Sequence, residues 1–480
     1  MPLTNPLEML EIMDQVALYL EDEDLTRCVC VSKSWRDIFL PHRWRVVVRG
    51  FMVDFLVTDY FGPDRDDMYN HRHLIQDLSL IGEIAGLDEY IYPNLRDLQI
   101  DLAEAANASS DRVSMDLFKM APLLVNLSLG SVEVAPAIWE SLAAHPHIRK
   151  LGLNNVRIKA VDALGFWEAC RRLESLEMDY VTIEGGGVPR DLVFDRLCNL
   201  AMRITDKMDE AKQMDLILQS PNLRCLDWNV GPFKSSNGGT LIHHPIRNHH
   251  WPHFNKLHMS CHLSDADLAS ILGGIGNIVD LHLSHCLSGL QAPMALSLHF
   301  NTLVKVDLGV CTWADSSMIL DILCSCPRLE VLQAKDVFAK DIAEHGPWVC
   351  QQLRKLKLCF RVEESEQDLQ RLIFERLSAL VQLEELIMWL SMSDNAYGVL
   401  KFRLECGLGL LASLQQLTTL RFFRDSASEY VPQLGMDEVT WMVDNWKKLK
   451  SIKGRLNSDQ LIESQLQRTI ECHDIEIWLT

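Results

Sequence analysis

Residues 316–334 read SSMILDILCSCPRLEVLQA, and this stretch contains the unit from which most of the chain is built. Ser316 to Cys324 has apolar residues at helical spacing, and Pro327 cannot continue a helix. Leu329 to Ala334 then follows the pattern apolar-x-x-apolar-x-apolar. The second and third apolar residues of this pattern lie two apart, which places both on one face of a strand. The stretch therefore predicts a helix, a turn and a short strand.

The six-residue pattern recurs from residue 75 to the end of the chain. Its starts are spaced by about 26 residues on average, within the range of leucine-rich repeats. The clearest copies begin at Leu95, Leu124, Ile148, Leu173, Leu223, Ile278, Leu303, Leu329, Leu353 and Leu383. Weaker copies begin at Ile75, Leu197, Phe254, Leu417, Leu449 and Cys472. One short strand is predicted for each copy.

The intervals between copies carry helical periodicity, as at 137–144, 265–272 and 368–380, and many end in Pro just before the next strand. Stacked units of this kind predict an α/β fold, a leucine-rich-repeat solenoid with a curved parallel sheet inside and helices outside. The main alternative is a doubly wound α/β domain, but its strands are near-continuous apolar runs, whereas these alternate. Loops are expected at 184–189, 231–239 and 391–395.

Composition restricts the classes of partner. The chain has 480 residues and a formal net charge of −20, which disfavours binding to nucleic acid or to anionic membrane surfaces. No apolar run approaches the roughly 18 residues that a membrane span needs. The first residues, MPLTNPLEMLEIMD, lack the basic start of a secretory signal, so a cytoplasmic or nuclear location is expected. The 14 cysteines are then expected to be free thiols.

The amino-terminal 45 residues lie outside the repeat and predict a small helical module. Pro6 suits the first turn of a helix, and Asp22 or Asp24 is expected to cap a second helix that begins near Leu25. The first helix is predicted to present an apolar face formed by Leu7, Leu10, Met13 and Leu20. A module of this size can hardly bury such faces alone, so they are expected to contact the solenoid or another protein.

These residues resemble an F-box. The resemblance rests on Pro6-Leu7-Glu8-Met9-Leu10, Tyr19-Leu20, Asp24-Leu25, Val31-Ser32-Lys33-Ser34-Trp35-Arg36 and Trp44. Followed by leucine-rich repeats, it extends over nearly the whole chain and divides it into an F-box (1–48), a connecting segment and first-repeat cap (49–73) and the solenoid of about 15–16 irregular repeats (74–480).

The resemblance implies a non-catalytic substrate receptor of a Skp-cullin-F-box ubiquitin ligase. The F-box would bind the Skp-type adaptor, and through it a cullin, while the repeats hold a protein substrate. The adaptor-binding residues would be Pro6, Leu7, Met9, Leu10, Leu20, Leu25, Val31 and Trp35. Two alternatives remain open. For the module, Trp35 and Trp44 are core residues of a helical cap on the first repeat. For the whole chain, the function is that of an interaction scaffold without a role in ubiquitylation.

No motif for catalysis or for a cofactor stands out. His243, His244, His249, His250 and His253 could bind zinc or copper, but irregular spacing favours a polar loop over a metal site. The cysteine pairs Cys28/Cys30 and Cys324/Cys326 lack the two-residue spacing of redox or zinc motifs, whereas Cys286 and Cys311 suit turns of the repeat. Gly407 to Ala412 matches a loose dinucleotide pattern inside an apolar, helix-like run. No cofactor is expected, although a hydrolase or metalloenzyme hidden in the long loops stays open.

The strand register predicts a polarised concave face. In the first seven repeats its outward positions are mainly acidic: Asp77, Asp97, Asp101, Glu177, Asp179 and Asp227 against Lys150 and Arg203. In the later repeats they are mainly basic: Lys256, Lys305, Lys335, Lys355, Lys357, Arg421, Lys453 and Arg455 against Asp280, Asp307 and Glu385. An acidic or phosphorylated substrate segment with an apolar anchor is predicted to bind Lys305, Lys335, Lys355, Lys357, Trp389 and Arg421. Alternatively, the lysines only keep the sheet surface soluble.

Overall fold

A computed structural model gives the fold of the chain. It describes residues 9–54, 57–61, 63, 65–82, 90–102, 116–132, 134–185, 187–203, 210–229, 251–260, 263–285, 289–311, 314–363, 367–390, 398–424, 431–473 and 475–478. The chain forms two compact units, Met1–Leu223 and Arg224–Thr480, called unit 1 and unit 2 below.

Unit 1 begins with a three-helix module formed by α1 (Leu10–Ala17), α2 (Asp22–Val29) and α3 (Lys33–Arg45). Its core consists of Met13, Ala17, Leu25 and Phe39, against which pack the half-buried side chains of Leu20, Cys28, Val29, Trp35 and Ile38. The module therefore has a core of its own, but Leu10 of the predicted apolar face stays exposed and Trp44 packs outside the module, so the expectation that it cannot bury these faces alone holds in part.

Polar contacts fix the three helices to one another. The prediction that α2 begins near Leu25 with an aspartate cap is wrong: Asp22 is already helical, and it forms an ion pair with Arg43 of α3 at 3.3 Å. The Ser32 hydroxyl caps α3 by accepting a hydrogen bond from the Trp35 amide. His42 of α3 contacts Asp14 of α1 at 3.1 Å.

The rest of unit 1 alternates strands and helices. The strands are β1 (Val46–Asp54), β2 (Val57–Phe61), β3 (Asp77–Ile81), β4 (Asp97–Asp101), β5 (Asn126–Gly130), β6 (Lys150–Asn154), β7 (Arg157–Ile158), β8 (Ser175–Asp179), β9 (Thr182–Ile183) and β10 (Asn199–Arg203). The helices are α4 (Arg65–His71), α5 (Asp116–Met120), α6 (Ala137–Ala144), α7 (Ala163–Cys170) and α8 (Glu210–Leu218).

The strands of unit 1 pair in parallel in the order β1–β3–β4–β5–β6–β8–β10. β2 pairs antiparallel with β1, and β7 and β9 form a separate two-stranded sheet. The sheet thus begins at Val46, directly after α3, although the first copy of the repeat pattern begins only at Ile75. The segment predicted to connect the F-box to the repeats carries most of the β1–β2 hairpin and α4.

Unit 2 continues the same alternation. Its strands are β11 (Cys225–Asn229), β12 (Lys256–Ser260), β13 (Asp280–Ser284), β14 (Lys305–Val310), β15 (Val331–Phe338), β16 (Lys355–Val362), β17 (Glu385–Leu390), β18 (Gly398–Val399), β19 (Thr419–Arg424), β20 (Ser451–Lys453) and β21 (Glu476–Trp478). Its helices are α9 (Asp265–Gly274), α10 (Gln291–Ser297), α11 (Ser316–Ser325), α12 (Ala339–Glu344), α13 (Gln367–Ser378), α14 (Met436–Asn445) and α15 (Gln460–Glu471).

Apart from β18, which pairs antiparallel with β16, the strands of unit 2 pair in parallel in chain order. The structure confirms the predicted strand in each copy of the pattern. Leu332 and Ala334 are buried as expected, with Leu356 and Leu358 beside them on the next strand. Each unit thus has a leucine-rich-repeat architecture in which one face of a parallel sheet is buried and the other is open.

Two smaller expectations have clear outcomes. The Cys311 thiol donates to the Leu283 carbonyl oxygen at 2.8 Å, so it bonds the backbone of the preceding repeat as predicted for a turn cysteine. The run around Gly407 forms 3₁₀ turns, Leu404–Cys406 and Leu408–Ser413, and no α-helix. Gly407 lies between them at φ 114°, a left-handed conformation that favours glycine.

Candidate functional site

The N-terminal module exposes an apolar surface beside its complete core. We call this surface the N-terminal apolar patch; its members are Met9, Leu10, Ile12, Val16, Leu18, Tyr19 and Val31. Tyr19 is 86% exposed, Val31 62% and Leu10 55%. Ile12, Val16 and Tyr19 follow one another at helical spacing, so α1 and the turn after it carry a second apolar stripe, roughly a third of a turn around the helix from Met13 and Ala17. An apolar surface of this kind on a small module is typical of a protein-binding site.

The structure divides the adaptor-binding residues predicted from the sequence into two groups. Met9, Leu10 and Val31 belong to the exposed patch. Leu20, Leu25 and Trp35 instead pack in the core of the module, where the Trp35 and Phe39 rings lie 5.4 Å apart. Pro6 and Leu7 lie outside the described residues. The sequence reasoning missed Ile12, Val16, Leu18 and Tyr19, although the spacing of Ile12, Val16 and Tyr19 could have indicated them.

Trp44 lies outside the core of the module. Its ring is buried and stacks on His71 of α4, with centroids 4.4 Å apart and an interplanar angle of 9°. The last turn of α3 is thereby anchored to α4. This buried position agrees with the alternative interpretation, in which Trp44 is a packing residue of a helical cap.

The open face of unit 2 carries a row of side chains at the position between the two buried strand residues of each repeat. The paired strands place them side by side, in the order Asp227, His258, His282, Asp307, Gln333, Lys357, Ile387, Arg421, Lys453 and Trp478. The first part of this row is rich in aspartate and histidine, and the last part is basic and aromatic.

Cations and aromatic rings alternate in the last part of the open face. The Lys357 ammonium lies 4.4 Å from the centroid of the Trp389 ring and 5.4 Å from that of Phe423. The two rings meet edge to face at 5.3 Å on paired strands, and the Arg421 guanidinium lies 5.9 Å from Phe423. Ile387, between Lys357 and Arg421 in the row, is only 4% exposed. We call Lys357, Trp389, Arg421 and Phe423 the basic–aromatic patch.

The charge of Lys357 is held in a partly desolvated place. Burial lowers the pKa of Lys357, and the neighbouring cations Lys355 and Arg421 lower it further, against the opposing carboxylates of Asp307 and Glu385. An anion placed over Lys357 and Arg421 would relieve the repulsion between these cations. The patch is therefore suited to a ligand that combines negative charge with an apolar or aromatic group.

The remaining residues of the predicted substrate site have different surroundings. Lys355 forms an ion pair with Glu385 at 2.6 Å, which reduces its availability to a ligand. Lys305 pairs in register with Asp280. Burial acts to raise the pKa of the Asp280 carboxyl, but the His258 contact and the charge of Lys305 outweigh it and lower that pKa. Lys335 lies where β15 changes its register with β16, between Gln333 and Asp336.

Histidines and aspartates contact one another on the open face near the first part of the row. His258 contacts Asp280 at 3.2 Å, and His282 contacts Asp307 at 3.0 Å. The hydrogen bond to Asp307 raises the pKa of His282, against the opposing effect of burial. His282 also lies 3.0 Å from the Ser284 hydroxyl. The open face therefore contains a histidine that titrates above its ordinary range.

The open face of unit 1 is acidic, as the register predicted. Asp77 and Asp97 lie side by side on β3 and β4 in a hollow of about 420 Å³ that also contains Asn126, Lys150 and Glu177. Burial, together with the hydrogen bond to Asp97 and its charge, raises the pKa of Asp77 to about 6, against the opposing charge of Arg45. Lys150 is paired with Glu177 at 2.7 Å.

Metal ligands do not gather in the part of the chain that the structure describes: no group of three or more His, Cys, Asp or Glu side chains there could hold a metal ion. Of the histidine-rich segment, residues 243–250 lie outside the described residues, and Trp251 packs on Phe254.

The twelve described cysteines are free thiols. Within the described ranges, no helix has the length and apolar character to cross a bilayer.

Comparisons with known proteins give only weak similarities. No protein-family model matches the chain, and no curated protein sequence matches it significantly. Among solved structures it is similar to internalin InlF of Listeria monocytogenes, with 13% identity, a TM-score of 0.33, and 92% of this chain and 96% of that one covered. It is also similar to TLR13 in its complex with the RNA ssRNA13, with 12% identity, a TM-score of 0.33, and coverage of 80% and 67%. These values carry no argument about function.

Proposed function

We propose that the protein is a non-catalytic substrate receptor of a Skp-cullin-F-box ubiquitin ligase. In this proposal the N-terminal apolar patch binds the Skp-type adaptor, and the open face of unit 2 binds a protein substrate. The chain would act by position: it would hold the substrate near a ubiquitin-charged enzyme and raise its effective concentration there. We place it in the cytoplasm or nucleus, where that machinery acts.

The N-terminal apolar patch is the observation that carries the proposal. The module already has its own core of Met13, Ala17, Leu25 and Phe39, so folding does not require apolar residues on its surface. Burying a large apolar side chain is worth roughly 1.5–3 kcal/mol, and several exposed residues of this kind on one small module can therefore support a stable interface. Tyr19 and Leu10 are the most suitable anchors, since aromatic and large aliphatic side chains dominate binding energy at interfaces.

The basic–aromatic patch supports the second half of the proposal. Lys357 and Arg421 offer positive charge in a protein whose net charge is −20, and Trp389 and Phe423 offer apolar contact area. A substrate segment with acidic or phosphorylated residues next to an apolar side chain would match this combination. Lys305 and Lys335 could extend the contact to neighbouring strands.

Co-purification of the full-length chain with the Skp-type adaptor of its host tests the proposal. The double variant Leu10→Asp/Val31→Asp should lose the adaptor, because both residues belong to the N-terminal apolar patch. Val161→Asp is the matched control, since Val161 is 84% exposed but lies outside the module. Equal recovery of the adaptor with the double variant and the control would contradict the proposal.

The alternative is a protein-interaction scaffold that has no role in ubiquitylation. The same leucine-rich-repeat surfaces favour it, because such repeats present large recognition faces. Turnover of a bound partner separates the two functions. A partner that accumulates on proteasome inhibition only when the N-terminal apolar patch is intact indicates a ligase receptor; a partner whose abundance depends on neither indicates a scaffold.

A further inference from the structure

Unit 1 contains a hollow of about 490 Å³ whose lining includes no residue of the N-terminal apolar patch. It is formed where helices end and the chain turns back to the sheet. Its lining residues are Ala143, Glu168, Arg171, Arg172, Asp195 and Arg196. Three arginines thus surround one hollow in a chain where acidic residues outnumber basic ones by 66 to 46. We call it the arginine hollow.

The repeat brings two of these arginines together. Arg172 and Arg196 each directly precede the first apolar residue of a repeat, Leu173 and Leu197. The strands that follow, β8 and β10, pair in parallel with Ser175 opposite Asn199, three residues after each arginine. The two arginines therefore occupy equivalent positions in the turns that precede two neighbouring strands. Arg171 adds a third positive charge beside them.

Glu168 and Asp195 offset part of the positive charge of the hollow, but among the described residues neither forms a close ion pair with its arginines. Arg172 donates to the Ala143 carbonyl oxygen at 2.9 Å, which orients its side chain. Among the described residues, none of the three arginines has a carboxylate within 4.0 Å, although Arg149 and Arg157 elsewhere in unit 1 do form ion pairs. Three exposed like charges around one hollow repel one another, and an anion between them would remove that repulsion.

We propose that the arginine hollow binds a small solute that carries two or more phosphate groups. Arginine presents a planar fork of donors that matches phosphate oxygens in pairs, and arginines from the turns before two neighbouring strands, with a third beside them, can hold more than one phosphate. The volume is suited to a small molecule. The described lining residues include no aromatic ring, so the ligand is held by its charges and not by stacking. Because the carboxylates of Glu168 and Asp195 repel anions, the phosphate groups of the ligand contact the arginines and not these two residues.

Calorimetric titration of the full chain with inorganic pyrophosphate tests this assignment. The variant Arg171→Gln/Arg196→Gln should bind pyrophosphate about tenfold more weakly or worse, since each substitution removes charge-assisted hydrogen bonds. Arg328→Gln is the matched control: Arg328 is exposed, directly precedes the repeat leucine Leu329, and lies in unit 2. This control should bind as the unchanged chain does. Equal affinities for the double variant and the control would overturn the proposal.

Two further titrations distinguish a polyphosphate site from general salt binding and from a peptide-binding site. Sodium sulfate at matched ionic strength should not reproduce the binding; if it does, the effect is general salt screening and the proposal fails. A singly phosphorylated peptide should bind more weakly than pyrophosphate, and tighter binding with the same arginine dependence would assign the site to a protein ligand instead. The double variant should keep its unfolding temperature and its adaptor, because the arginines lie outside the module's core.

Discussion

The ammonium group of Lys357 lies over the face of the Trp389 ring, 4.4 Å from its centroid, on two neighbouring strands of unit 2. The contact keeps the cation at the surface but removes part of its water, which is why burial lowers the pKa of Lys357. Partly desolvated cations gain more from an anionic ligand than fully hydrated ones do. This relationship singles out Lys357 from the other lysines of the open face.

Charge reversal at Lys357 and Arg421 should weaken binding of the substrate. The variant Lys357→Glu/Arg421→Glu is expected to lower recovery of partners in proximity labelling under proteasome inhibition, because it places two carboxylates where an acidic segment would lie. The control Asp97→Lys/Asp101→Lys changes the open face of unit 1 and should leave the recovery unchanged. Recovery that falls equally in both variants, or in neither, would contradict the assignment.

His282 should make stability depend on pH. Its pKa is raised in the folded chain by the bond to Asp307, so the stabilisation is fully present below the ordinary histidine pKa of about 6.5 and is lost as pH rises through the folded value. We therefore expect His282→Asn to lower the unfolding temperature more at pH 6 than at pH 8.5. His253→Asn, at an exposed histidine, is the control. An equal effect of His282→Asn at both pH values would refute this role.

The Asp77–Asp97 pair should also make the folded chain less stable as pH rises, here because an ionisation is unfavourable. Since the pKa of Asp77 is raised to about 6, the folded state loses stability as pH rises from the ordinary aspartate pKa of about 3.9, and the loss is complete above about 6. Asp77→Asn mimics the protonated carboxyl and should raise the unfolding temperature more at pH 7.5 than at pH 5. Differential scanning fluorimetry at the two pH values measures the difference, and a gain of the same size at pH 5 would contradict it.

Asp265 should stabilise a helix other than its own. Its carboxylate lies in α9 but accepts hydrogen bonds from the backbone amides of Gln291 and Ala292, both at 2.9 Å, at the start of α10. Asp265→Ala should lower the free energy of unfolding by about 0.5–2 kcal/mol, the usual value of a lost helix cap. Asp265→Asn retains a carbonyl acceptor and should cost less. Urea denaturation measures both, and an unchanged free energy of unfolding in Asp265→Ala would contradict this role.

The strands could be predicted from the sequence because their pattern is local. Leu332 and Ala334 are two residues apart, and burial of one face of a strand requires that spacing and nothing more distant. The helices Ala163–Cys170 and Gln291–Ser297 could not be predicted in this way, because they are short and their apolar residues do not form a clear stripe. Packing in the repeat, and not periodicity, decides their conformation.

The features of the candidate sites depend on contacts between distant residues. The ion pair between Lys355 and Glu385 and the stacking of Trp44 on His71 join residues about 30 positions apart, whose meeting depends on register and on the route of the intervening loop. For the same reason, the sequence could place Leu10 and Leu20 on one apolar surface, whereas the packing of α3 divides them: Leu20 packs in the core, while Leu10 is exposed.

Affinity of the purified full-length chain for the purified Skp-type adaptor tests the central claim most directly. We predict tight binding by calorimetry, weakened about a hundredfold by Leu10→Asp/Tyr19→Asp, because two exposed apolar anchors would be replaced by charges that an interface cannot desolvate cheaply. Val161→Asp should leave the affinity unchanged. No binding by the unchanged chain, or binding that does not differ between the double variant and the control, would contradict the account.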